Sequence, residues 1–417
     1  MSESAKAGAT GASRTYGAIV WGQLRKRPSA MVSLGVIVLL ALVAILAPFI
    51  AGEAPIRWVE NGRVSWPIFR YLSNGEYAAM LGFALVLLAP ITVRLLRRRA
   101  RLGGRSACGE ISQSGRGRRA HRAGTGGWRW AFLAHLAIWV AVAISLVAWR
   151  DPERRYGFYL ERAAQAESAW FPLVAYPQNP GYRELEFKEQ PPSWEHPLGT
   201  GRLGDDVLLR ILYGARTAMT IGFVAVGIGT AIGVVLGAMS GYFGGRTDLV
   251  LMRITEIFIC VPGLILIIIA LTVISAAWLP PLWTVVIVIG LTGWMWAYRL
   301  MRAELLRIRS EDYMTAARAL GIPTWRLLLR HAVPNGMAPI LVGATFGIAG
   351  AVFLEASLAF LGLVQTPSWG EMLNDGRQHL EYWWVWASAG GAIFLTVFVY
   401  NLLGEAIRDA IDPRLKI

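Results

Sequence analysis

Apolar residues in this chain fall in long blocks divided by polar, often arginine-rich stretches. The blocks run over 30–50, 77–93, 130–148, 217–240, 254–278, 281–298, 336–358 and 388–404. About 20 helical residues cross a hydrocarbon core of ~30 Å. A helix satisfies its own backbone polar groups there, where no water can do so. The pattern therefore predicts about eight transmembrane helices. The first block follows Arg25-Lys26-Arg27-Pro28. It is longer than the roughly 7–15 residues of a cleavable signal core, so it is expected to be a retained span.

Charge gives the blocks an orientation. Basic residues favour the cytoplasmic side of a membrane. The stretch from Arg94 to Arg129 holds eleven arginines and a single acid, Glu110. Residues 151–206 hold six basic and ten acidic residues, and 298–331 hold seven arginines and three acids. The first and third of these stretches are expected inside and the second outside, with both termini cytoplasmic. Residues 100–127 are mainly Gly, Ser, Ala and Arg. Such a stretch cannot bury a core; it reads as a disordered topology determinant, and its arginines could also touch anionic lipid heads. The outer stretch 150–206 carries Trp170, Phe171, Tyr176, Tyr182, Trp194 and several prolines. It reads equally as an irregular binding loop or as a segment lying at headgroup depth.

Composition narrows the class. Hydrophobic residues make up 55% of the chain and charged residues 16%, against about a quarter charged in soluble domains. The net charge of +14 does not point to nucleic acid, because the arginines cluster beside apolar blocks. Cys108 and Cys260 have no metal-ligand spacing. There is no G-x-x-x-x-G-K-[ST] loop, so this chain cannot cradle ATP phosphates in that way, and no H-E-x-x-H or G-x-S-x-G is present. An intramembrane enzyme would need a clustered nucleophile, base or metal site. A secondary transporter would place several ionisable residues near the midplane and carry internal repeats. Only Glu355 is placed that way.

One polar stretch has helical order of its own. Residues 299–335 read RLMRAELLRIRSEDYMTAARALGIPTWRLLLRHAVPN. Met314, Ala317 and Leu320, then Trp325, Leu328 and Leu329, recur at three- and four-residue spacing. Gly321 stands where a left-handed residue ends a helix, and Pro323 is tolerable in the first turn of the next. Pro334 is expected to stop that second helix before the following span. Two short helices joined by a tight turn result, with Leu320 and Trp325 as knobs and Ala316, Ala317 and Ala319 permitting close approach.

This stretch resembles the cytoplasmic coupling loop of ABC importer permeases, whose motif runs E-A-A, three residues, G, nine residues, I-x-L-P. Ala316-Ala317 fill the two alanines, Gly321 the glycine, His331 the Ile place, Val333 the Leu place and Pro334 the proline; Thr315 replaces the glutamate. Arg330-His331-Ala332-Val333-Pro334-Asn335 is similar to the R-H-x-L-P-N of the oligopeptide/dipeptide branch. Flanking segments also match: His196-Pro197-Leu198-Gly199-Thr200, Gly204 to Leu208, Tyr213 to Arg216, Gly241 to Gly245, Glu355 to Leu358 with Phe360 to Gly362, Pro367 to Gly370, and Asn401 to Gly404. Gly201 and Asp205 depart from the usual Asp and Arg. The likeness covers about 194–415 and the first span, while 75–148 has no counterpart.

The resemblance implies an all-α polytopic membrane protein with the type I ABC importer permease core in its C-terminal half. It implies the second-permease (C-type) branch in the bacterial inner membrane. The expected layout is a cytoplasmic tail 1–28, a first span 29–50, and a periplasmic loop with an inserted helix pair over 51–149, whose basic cytoplasmic loop is 94–129. A periplasmic loop 150–206 and a permease domain 207–417 follow, with coupling helices 310–334. Such a subunit binds no cofactor and leaves ATP to a partner. It implies a second homologous permease as heterodimer, two ABC ATPase subunits, an extracytoplasmic substrate-binding protein and membrane lipid, but no nucleic acid. Peptides are the implied cargo. The coupling residues would be Thr315, Ala316, Ala317, Gly321, Trp325, His331 and Pro334.

Other residues admit blander roles. Glu355 could line the path or hydrogen-bond a neighbouring helix. Glu256 lies within helical reach of Arg253. Trp294 and Trp296 read as packing or belt aromatics. With no histidine or further carboxylate close in sequence, Asp205-Asp206 reads as a cap for a helix starting at Val207 rather than a metal site. The rival functions are a secondary transporter and a membrane scaffold without ATPase coupling.

Overall fold

The structure is a computed structural model and describes residues 21–52, 54–60, 62–72, 166–174, 188–274 and 281–411. The chain divides into two compact units, Met1–Ala47 with Gln178–Ile417, and Pro48–Pro177. In chain order, α1 (Pro28–Ile50) precedes β1 (Arg57–Glu60), β2 (Arg63–Ser65), the one-turn α2 (Ile68–Tyr71) and β3 (Ser168–Trp170). Then come α3 (Val207–Thr220), a π segment (Ile221–Ala225), α4 (Val226–Phe243), α5 (Gly245–Cys260), α6 (Gly263–Ile274) and α7 (Pro281–Thr292). The chain continues through α8 (Met295–Ile308), α9 (Asp312–Ala319), α10 (Thr324–Leu327), a second π segment (Leu328–Ala332), α11 (Val333–Phe360), α12 (Trp369–Gln378) and α13 (Trp383–Ile411).

Five helices among the described residues are long and apolar enough to cross a membrane: Pro28–Ile50, Val207–Phe243, Pro281–Ile308, Thr324–Phe360 and Trp383–Ile411. The pair α5 and α6 would make a sixth span, bent by 94°. Of the eight predicted spans, 77–93 and 130–148 lie outside the described residues, as do the arginine loop 94–129 and its disorder expectation. The block 254–278 is not one straight helix. Val261 is extended at φ −88° and ψ 125°. The ring of Pro262 disfavours helical backbone at the residue before it.

Pro334 also departs from expectation, because the helix it was expected to stop runs on from Thr324 to Phe360. The π segment explains this. The Val333 N–H reaches back five residues to the Leu328 carbonyl. Widening the helix just before Pro334 shifts the carbonyls that a proline ring would otherwise crowd, and the missing N–H falls where the register changes.

The tightest packing in the larger unit is between α4 and α8. Gly229, Gly233, Gly237 and Gly241 recur every four residues along α4 and are buried there. A Cβ at Gly233 would sit 2.5 Å from the Trp294 carbonyl oxygen, and one at Gly237 2.6 Å from that of Tyr298. Helices in lipid gain from such backbone approach because lipid tails offer no hydrophobic drive toward association. Elsewhere Val207, Val352, Trp369, Met372, Val385 and Ala389 join α3, α11, α12 and α13. Ile37 and Ala44 of α1 meet Met219, Ile348, Val399 and Tyr400.

The smaller unit holds a three-stranded antiparallel sheet in the order β2-β1-β3. Its strands come from both sides of the 73–165 stretch, so the outer segments expected as separate loops share one sheet. Strands of three or four residues are too short for alternation to reveal.

Candidate functional site

The turn after α9 is built by a glycine. Leu320 closes the helix with its N–H on the Ala316 carbonyl at 3.0 Å. Gly321 follows at φ +73°. Its N–H reaches the Arg318 carbonyl at 2.9 Å, and the Ile322 N–H reaches Ala317 at 3.2 Å. This double closure is the Schellman motif, which needs a left-handed residue where a Cβ would be strained. Below the turn, Met314 and Leu327 are fully buried with Met301, Leu305, Ile308 and Ile340. Above it, Leu320 is 81% exposed, Trp325 62% and Leu329 67%. The knobs expected on this turn thus face outward from a packed base.

The base is strapped to the helix bundle. Arg318 donates to the Arg309 carbonyl at 2.9 Å and lies over the Tyr242 ring. Arg309 donates to the Gly241 carbonyl at 3.3 Å, and Asn335 donates to the Tyr313 hydroxyl at 3.2 Å. Beside these, Arg302 grips Asp248 with two nitrogens, the Nη2 bond measuring 2.7 Å. Ser240 bonds Asp248 and pairs with the Tyr298 hydroxyl at 3.0 Å. Sequence reasoning missed this network. Asp248 and Arg302 are 54 residues apart, and the only hint was the Gly241 to Gly245 segment that brings α5 back against α4.

Among the residues singled out, Thr315, Ala316, Gly321, Trp325 and Pro334 are exposed, and Ala317 and His331 half-buried, all on α9 to α11. Glu355 is not with them; it lies about 30 Å further along α11 at ~1.5 Å per residue. It is 2% exposed and accepts a bond from the Thr366 hydroxyl at 3.4 Å. Arg253 and Glu256 pair at 2.7 Å, exposed. Trp294 packs between Phe258 and Tyr298, and Trp296 lies against Gly343.

At the opposite end of these helices, Asp206 caps α3 by accepting from the Leu209 N–H at 2.9 Å. Folding also brings His196, ten residues away, onto Asp206 at 2.8 Å, which sequence proximity did not suggest. Among the described residues no group of three or more His, Cys, Asp or Glu could hold a metal ion. Asp205 takes Arg210 at 2.7 Å, and Arg210 reaches across to Asp375 of α12 at 2.8 Å. Nearby burial pushes the Glu371 carboxyl above its ordinary value, against the pull of Arg210. The Trp369 indole donates to the Ile211 carbonyl at 3.0 Å, and Thr217 to Pro367 at 2.7 Å. These bonds seat α12 on α3 through residues of the Pro367 to Gly370 segment.

A family model described as the binding-protein-dependent transport system inner membrane component matches residues 233–417. Another, the N-terminal TM domain of oligopeptide transport permease C, matches 15–60. The oligopeptide transport system permease protein OppC of Bacillus subtilis is 40% identical over 232 residues, covering 55% of this chain and 75% of that protein. The dipeptide transport system permease protein DppC of the same organism is 36% identical, covering 56% and 73%. A probable D,D-dipeptide transport system permease protein, DdpC of Escherichia coli, is 36% identical, covering 57% and 79%. Identity at this level over most of such relatives, together with the multi-span helical fold, places the chain among the binding-protein-dependent transport inner membrane components, the multi-pass permease subunits of ABC importers.

Proposed function

We propose that this permease carries peptides, and that it receives the work of ATP hydrolysis through the turn at Gly321. The relatives that support the cargo are named for oligopeptide, dipeptide and D,D-dipeptide transport. The observation that carries the coupling role is the pairing of an outward apolar surface with a rigid base. Leu320, Trp325 and Leu329 stand open while Met314 and Leu327 beneath them are fully buried. A surface of that kind is built to be covered by a partner.

In this scheme two ATPase subunits dock below, one on this chain and one on a second, homologous permease. An extracytoplasmic binding protein delivers cargo from the other side, and both termini of this chain lie in the cytoplasm. The sectors are 1–28, 29–50, 51–149, 150–206 and 207–417, with coupling helices over 310–334. Thr315, Ala316 and Ala317 offer a small-residue face, Gly321 the turn, Trp325 the anchor, and His331 and Pro334 the junction with α11. Because α10 continues without a break into α11, a displaced turn moves a 37-residue helix. Closure of the nucleotide-bound ATPases would then shift that helix as a lever, a rigid-body transition biased by differential contact.

The test is Gly321→Asp in cells that depend on this system for peptide uptake. Aspartate tolerates the left-handed backbone better than most residues but still less well than glycine, and the new charge sits in the docking surface. Uptake is expected to fall at least to about a tenth, which corresponds to ~1.4 kcal/mol, with membrane insertion unchanged. Uptake at the native rate would overturn the coupling role.

A further inference from the structure

The small sheet exposes large apolar side chains, with Arg57 and Ser168 half-buried beside them, on the side where an antiparallel sheet with one covered face is ordinarily polar. Its register sorts the residues. Trp58 pairs with Ser65 and Ala169, and Glu60 with Arg63, which puts these on one face. Arg57 pairs with Trp170, and Val59 with Val64 and Ser168, which puts these on the other. On the first face Trp58 is covered, only 4% exposed, while Glu60 and Arg63 at its edge are open to solvent. On the second face Val64 is 51% exposed and Trp170 64%, and Trp66, two residues beyond Val64, is 51% exposed.

This open face is tied to the end of a membrane span. The Val174 N–H donates to the carbonyl of Ile50, the last residue of α1, at 3.0 Å, and the Gly52 N–H donates to Val174 at 2.9 Å. Leu173, next to that anchor, is 88% exposed. Phe69 packs its ring edge-on against Phe49 in the last turn of α1, centroids 6.0 Å apart, and is itself 43% exposed. Four residues extend at most about 14 Å, so Trp170 cannot be far from the same helix end. Tryptophan with aliphatic neighbours beside the end of a span is the composition that settles at headgroup level.

We propose that the open face of the β2-β1-β3 sheet, with Phe69 and Leu173, is a membrane-contact surface that rests in the headgroup–acyl boundary of the phospholipid bilayer beside the C-terminal end of α1. The occupant is lipid because the patch is joined directly to Phe49 and Ile50, the last residues of a helix of membrane-spanning length. The contact belongs to the unit that holds both ends of the 73–165 stretch, and it would hold that stretch's entry and exit at the membrane surface. It does not depend on the coupling role of Gly321.

The experiment is site-directed spin labelling of the full chain in vesicles of phosphatidylethanolamine and phosphatidylglycerol, after Cys108→Ser and Cys260→Ser. Labels are placed by Leu173→Cys and Trp66→Cys, with Arg63→Cys on the covered, polar-edged face as reference. Collision with oxygen, which concentrates in lipid, is compared with collision with a water-soluble nickel chelate. At 173 and 66 oxygen is expected to exceed the chelate severalfold, and at 63 the order is expected to reverse. Water-like values at 173 and 66 would overturn the proposal, as would shielding from both probes, which would mean that protein covers the face. Leu173 gives up almost no packing, so its label reports even where Trp66→Cys fails to insert.

Discussion

Asp248 is held by two nitrogens of one guanidinium and by a serine hydroxyl, all at the end of the bundle that carries the turn. Removing Arg302 would leave a partly covered carboxylate with its main partner gone. An unmet group of that kind costs about 1–3 kcal/mol. Arg302→Ala is therefore expected to lower the thermal midpoint of the detergent-solubilised permease, and Arg302→Ala with Asp248→Asn to recover part of the loss. A double variant no better than the single one would show that the arginine acts through something other than this carboxylate. At the residue scale little of this was legible in the sequence. The Gly321 turn was, because a helix stop is a local event set by one φ angle. The Asp248 network and the His196–Asp206 bond were not, because the partners meet only after helices pack.

The α4–α8 contact belongs to the scale of elements. Four glycines at four-residue spacing place one helix backbone against another, so side-chain volume there has nowhere to go. Gly237→Leu is expected to destabilise the fold by about 1–3 kcal/mol, the range for overpacking a filled site. Gly227→Leu, on the same helix but with nothing within 4 Å of its Cβ position, should be near neutral. Equal midpoints for the two variants in a thermal melt would refute the close-approach account. Hydropathy found the membrane-length helices outside the undescribed stretches, but not their interruptions, the start of α5 or the amphipathic α12. The bend at Pro262 and the π segment before Pro334 depend on how a proline's missing N–H is accommodated. A window average does not register that choice between breaking a helix and widening it.

As a whole molecule, the permease couples work it does not itself generate. The purified chain is expected to show no ATP hydrolysis above a mock preparation. Activity should appear when an ATPase subunit is added and, if the proposed docking surface is right, should respond to Trp325→Ala. Hydrolysis that persists in the chain alone through successive purification steps would contradict a subunit that leaves ATP to its partner. The family match reinforces the expectation, since the matched regions are described as the inner membrane component of such systems.

The amino-acid order alone determined the membrane class, the positions of the spans among the described residues, and the glycine-centred turn. Each rests on local information: apolar run length against bilayer thickness, and one backbone angle that glycine adopts without strain. Only the tertiary structure decided what the turn stands on, which acid meets which base, and that segments on either side of the 73–165 stretch pair into one sheet whose open face exposes Val64 and Trp170. Those outcomes depend on contacts between residues distant in sequence. Burial, and the free energy it brings, is a property of the packed surface rather than of any residue read by itself.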